Sequence, residues 1–206
     1  MSASTLKALL HDVRNCDICS EHLPLGPNPV LRANSKSRIL IIGQAPGTRV
    51  HNTGIPWNDP SGDRLRSWLQ LNPDRFYDES NIAIIPMGFC YPGKGKSGDL
   101  PPRPECAPLW HEQLLQQLPG LKLKLLIGKY SQDYYLGTRR QTLAATVASF
   151  ADYLPDWFVL PHPSPRNIRW FKNHPWFEAD VLPALRKQVA SALGTGNEYA
   201  SHDSSR

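Results

Sequence analysis

The sequence predicts an α/β protein of three layers, α/β/α, on a central four-stranded parallel sheet. Two observations carry this. Four short, largely apolar runs, Ile39–Ile42, 81–86, 121–127 and 156–161, read as strands buried on both faces. Between them lie segments whose apolar residues recur at helical spacing, and strands alternating with helices argue for a parallel sheet covered on both sides. A chain of 206 residues buries one substantial core. Residues 1–193 therefore read as a single domain, with no internal repeat.

In chain order, residues 4–13 predict a short amphipathic helix with Leu6, Leu9, Leu10 and Val13 on one face and Ser4 as its cap. A connector rich in Pro, Gly and Asn, 22–37, leads to the first strand. Gly43-Gln44-Ala45-Pro46-Gly47 stops that strand, and Leu65, Trp68, Leu69 and Leu71 resume at helical spacing. Asn72-Pro73-Asp74 breaks the chain before the second strand. Residues 87–108 form a long loop, of the kind that is usually functional. A helix over 107–118 turns Leu109, Leu114, Leu115 and Leu118 inward and stops at Pro119-Gly120. After the third strand, 131–136 and 142–150 are short helices. The last helix covers 175–193, and Gly194–Arg206 is a polar tail with the composition of disorder.

Charge excludes little: 23 basic and 18 acidic residues give +5, which permits a nucleic-acid partner without requiring one. No apolar run approaches the ~20 residues of a membrane span. No basic segment followed by an apolar core marks a secretory signal, so the expected compartment is the cytoplasm. A monomer is expected.

Two loops carry the functional reading. A glycine-containing loop at the carboxyl end of a parallel strand lies where open α/β sheets bind ligands. The Gly43–Gly47 loop is no phosphate loop, because it lacks both Gly-Lys-Ser/Thr and GxGxxG. The second loop follows the last strand as Pro161-His162-Pro163-Ser164-Pro165-Arg166-Asn167, a histidine fixed between prolines. The four cysteines run as Cys16-x2-Cys19, then Cys90 and Cys106 at the two ends of the 87–108 loop. In a cytosolic chain such thiols favour metal over disulfide, and four thiolates suit a tetrahedral zinc or a [4Fe–4S] cluster.

The GQAPG loop paired with a late HPSPRN loop resembles the uracil-DNA glycosylase superfamily, and with the cysteine pattern it resembles that superfamily's iron–sulphur families four and five. The resemblance implies that fold, and hydrolysis of the N-glycosidic bond of uracil or a related deaminated base in DNA, leaving an abasic site. It implies a [4Fe–4S] cluster on Cys16, Cys19, Cys90 and Cys106, with zinc as the alternative. His162 would donate to the base O2. Ser164, Pro165, Arg166 and Asn167 would meet DNA, holding the flipped base out. Gly43, Ala45, Trp57 and Pro86 would line the base pocket. Gln44 fills the polar second position of the first motif. The third position, often Asp or Asn in relatives, is Ala45. The water-activating acid is therefore expected downstream, at Asp59, with Asp63 as second choice. Pro86 stands where uracil-selective relatives carry Asn, which implies recognition through backbone groups. Lys94, Lys96, Arg103, Arg169 and Lys172 join Arg166 as candidate DNA contacts, and Trp170 and Phe171 either stack on bases or close the sheet. Two rival readings remain: a non-catalytic nucleic-acid-binding member of the fold, motivated by Ala45 and Pro86, and a zinc-stabilised hydrolase of small nucleosides.

Overall fold

The computed structural model of the chain describes residues 5–139 and 141–195. Its strands are β1 (Ile39–Ile42), β2 (Ile82–Ile84), β3 (Lys94–Gly95), β4 (Gly98–Asp99), β5 (Leu123–Ile127) and β6 (Phe158–Leu160). The main sheet has the order β2-β1-β5-β6, and every pairing in it is parallel. Ile39 pairs with both Ile82 and Leu123, so β1 is central.

Successive side chains of a strand point to opposite faces. Ile39 and Ile41 accordingly enter one cluster, with Leu65, Trp68 and Leu69 of α3 (Pro60–Leu69) and Leu185 and Val189 of α9 (Leu182–Leu193). Leu40 and Ile42 enter the other, with Leu9, Leu10 and Val13 of α1 (Leu6–Arg14) and Ala107 and Leu114 of α5 (Cys106–Gln116). All four β1 side chains are fully buried. Each such burial stabilises the fold by roughly 1.5–3 kcal/mol before entropy is counted. This is why the strand sequences are continuously apolar.

The remaining helices are α2 (Thr48–Thr53), α4 (Pro73–Tyr77), α6 (Lys129–Leu136), α7 (Leu143–Ala148) and α8 (Ile168–Asn173). Several details differ from expectation. Thr5 caps α1 by accepting from the Ala8 N–H at 3.3 Å, and Ser4 lies outside the described residues. Leu109 is 39% exposed. The inward row of α5 is Ala107, His111 and Leu114, a periodicity set by a buried histidine that an apolar count overlooks. The 87–108 loop carries the β3–β4 hairpin, whose two-residue strands are too short to show a period. Helices α2, α4 and α8, of five or six residues each, are too short to show an apolar period in the sequence. Residues 175–193 split into a π-helical turn, Phe177–Val181, and α9. From residue 196 onward, the tail expected to be disordered lies outside the described residues.

Candidate active site

The loops after β1, β2, β5 and β6 share one end of the sheet. The β1–β2 pairing continues past the strands: the Ile85, Met87 and Gly88 amides donate to the carbonyls of Ile41, Gly43 and Gln44, each at 3.0 Å. On the other side, the Gly128 N–H donates to the Leu160 carbonyl at 2.8 Å. Between these edges opens a cleft of about 680 Å³. Gly43, Gln44, Ala45, Trp57, Asp59, Pro86, His162, Ser164, Pro165, Arg166 and Asn167 all line it. The two loops, more than a hundred residues apart in sequence, meet there.

His162 is held as a neutral donor. The Ser164 N–H donates to its Nδ1 at 3.2 Å, which leaves the ring proton on Nε2. Nε2 has no partner among the described residues and is not sealed from solvent. Protein surrounds the rest of the ring, and this desolvation lowers its pKa to about 4, against the opposing pull of the Asp59 charge. The loop is pinned from two sides. The Asn167 amide donates to the His162 carbonyl at 2.8 Å, and Arg64 of α3 donates to the Pro163 and Ser164 carbonyls at 3.3 and 3.2 Å. Asn167 thus braces the loop with its own side chain, and Arg64 is a supporting residue that the sequence did not reveal.

Trp57 lies 5.5 Å from the His162 ring, centroid to centroid. Its φ of 57° is a left-handed conformation costly for a bulky residue. The neighbours hold it there: its carbonyl accepts from Arg66 at 3.1 Å and from the Tyr77 hydroxyl at 3.3 Å. Two glycines make room. A Cβ on Gly43 would stand 2.8 Å from the indole, and one on Gly62 only 1.7 Å from the Trp57 carbonyl oxygen.

Asp59 is the N-cap of α3, with Oδ1 accepting from the Gly62 N–H at 2.8 Å. Its Oδ2 has no partner among the described residues. Asp63 is 76% exposed and paired with Arg66 at 2.5 Å, which removes it from the cleft. Arg166 reaches across to the hairpin, donating to the Ser97 carbonyl at 3.0 Å. The Gln44 amide donates to the Leu100 carbonyl at 3.3 Å. The hairpin therefore forms a wall of the cleft, and its Asp99 is a second lining carboxylate beyond those the sequence singled out. Burial raises the Asp99 pKa, against the charges of Arg166 and Lys94.

Of the other cationic candidates, Arg103 is paired with Glu105 at 2.5 Å, while Lys94, Lys96, Arg169 and Lys172 are exposed. Trp170 and Phe171, both half-buried, pack against the core cluster around Trp68 and Phe177, the sheet-closing alternative.

The four cysteines are free thiols drawn toward one another, and Cys19 and Cys90 share a small cluster with Leu23. Burial raises Cys90 to about 11 and Cys106 to about 12, and the charges of the other thiols add to both. Among the described residues, no group of three or more His, Cys, Asp or Glu stands close enough to hold an ion as placed. The donor chemistry nevertheless fits a thiophilic group. Four sulphurs come from two distant segments, with the Glu105 carboxylate beside them, accepting from Cys19 Sγ at 3.6 Å.

Among the described residues no helix is long and apolar enough to cross a membrane. The family model of the Uracil DNA glycosylase superfamily matches residues 32–186, about three quarters of the chain. Fold and cleft agree with that match, and the chain belongs to this superfamily. Membership makes it a candidate DNA glycosylase, a hydrolase acting on DNA.

Proposed function

We propose that the protein excises uracil, or a related deaminated base, from DNA by hydrolysing the N-glycosidic bond and leaving an abasic site. One observation carries this reading: a neutral, Nε2-protonated His162 and the half-free carboxylate of Asp59 face one cleft beside the Trp57 ring. A base drawn from the duplex stacks on Trp57. As the C1′–N bond breaks, its electron pair passes to the base, and His162 Nε2–H donates to O2 where the charge collects. Asp59 Oδ2 orients the attacking water and takes its proton as the water oxygen bonds to C1′. Ser164, Pro165 and Arg166 lie at the rim, where they meet the phosphate backbone and keep the gap open.

Cys16, Cys19, Cys90 and Cys106 would hold a [4Fe–4S] cluster, or alternatively zinc. When bound, such a group cross-links the amino-terminal segment to the hairpin loop. The deciding experiment is release of free base from oligonucleotides carrying uracil, hypoxanthine or xanthine, for the wild type, His162→Ala and Asp59→Asn. Base release that both substitutions abolish supports the reading. DNA binding with no release from any substrate favours the non-catalytic reading, which Ala45 and Pro86 motivate.

A further inference from the structure

At the end of β2 three backbone amides and the Pro86 carbonyl are already engaged within the protein. The Ile85, Met87 and Gly88 amides are spent on β1 and the loop after it, and Pro86 has no amide to offer. The Pro86 carbonyl is held beneath the floor by His111 Nε2 at 3.0 Å. A carbonyl only accepts, so Nε2 carries the proton and Nδ1 accepts from the Tyr135 hydroxyl at 2.6 Å. His111 is 2% exposed and stacks on Phe89 and Tyr135.

We propose that His111 is a specificity-setting positioning residue. By drawing the Pro86 carbonyl into the core, it presents a proline ring to the far edge of the bound base, so that the base is read along the edge facing His162. This rests on the function proposed above. With O2 at His162, the far edge of a pyrimidine carries N3 and the 4-substituent. A wall without hydrogen bonds scarcely distinguishes a 4-carbonyl from a 4-amino group. A freed Pro86 carbonyl is an acceptor, and it prefers the amino group.

The test measures affinity for non-cleavable 2′-fluoroarabino oligonucleotides carrying uracil or cytosine at the target position, for the wild type, His111→Phe and His111→Gln. The phenylalanine keeps the stacked ring and releases the carbonyl. The glutamine amide can still donate to it. The expected result is a roughly three- to tenfold shift of the uracil-to-cytosine affinity ratio toward cytosine in His111→Phe. In His111→Gln the ratio returns to the wild-type value. A ratio unchanged in His111→Phe while both affinities fall together overturns the proposal and leaves His111 as packing. Excision by the wild type is scored separately: a shifted ratio without base release sinks the function but not the role of His111. Should His111→Phe not fold, nitrogen-15 spectra of the wild type decide, since an Nδ1-protonated ring overturns the proposal.

Discussion

At Asp59 one carboxylate oxygen caps a helix and the other is free beside the cleft, so the two roles separate by substitution. Asn caps as well as Asp but is no base. Asp59→Asn should therefore lower single-turnover base release by roughly 10²–10⁴-fold with little change in melting temperature. Asp59→Ala should add about 1 kcal/mol of destabilisation in a urea titration. Equal activity in the two variants and the wild type would place the water elsewhere. His162 yields a pH prediction. Its pKa is depressed to about 4, so it stays neutral through the range where an ordinary histidine charges. The rate should show no break near pH ~6.5 attributable to this donor. Such a break, lost in His162→Asn, would contradict the assigned tautomer and burial.

The elements around the site are held by close approaches. The α3 amino-terminal turn packs against the Trp57 carbonyl so tightly that only glycine fits at position 62. Gly62→Ala must displace either the turn or Trp57, and roughly 3 kcal/mol or more of stability should go with it, read from the denaturant midpoint. Gly43→Ala pushes the indole tip instead, a side chain that can give way. Its main expected effect is weaker binding of base-containing oligonucleotide, with stability nearly kept. The hairpin β3–β4 is the third such element, tied by Arg166 to the His162 loop and by Gln44 to the first motif. A chain that reads as one long loop is thereby a wall of the site.

For the whole molecule, the buried His111 and the half-buried His162 make stability depend on pH on the acid side. Folded His111 and His162 both hold pKa values of about 4, below the unfolded ~6.5. The unfolded chain therefore binds more protons between those values, and stability falls as pH drops from about 6.5 toward 4. For the fully enclosed His111 the loss is about 3 kcal/mol once pH is below both values. Urea titrations across that window should give a slope that shrinks by close to one proton in His162→Asn. A flat profile would mean that the ring is hydrated in the folded state. The cysteines supply a composition test. Aerobically or anaerobically purified protein should carry about four irons per chain and a brown colour. Colourless protein with one zinc would select the alternative, and metal-free protein with a folded hairpin would remove the cross-link altogether.

The sequence by itself determined the sheet, because a strand buried on both faces must be apolar throughout, and Ile39–Ile42, mostly β-branched and stopped by Gly43, reads that way. Through the resemblance carried by the GQAPG and HPSPRN loops it also pointed to Gln44, Trp57, Asp59 and His162, which line one cleft in the fold. What it left undecided depends on contacts between distant segments. The resemblance ranks Asp59 above Asp63, but it is the docking of α3 that sends one to the cleft and the other to Arg66. Arg64, Arg166 and His111 act through carbonyls 99, 69 and 25 residues away. A backbone carbonyl carries no sequence signature, so the supports of this site became visible only once the chain had folded.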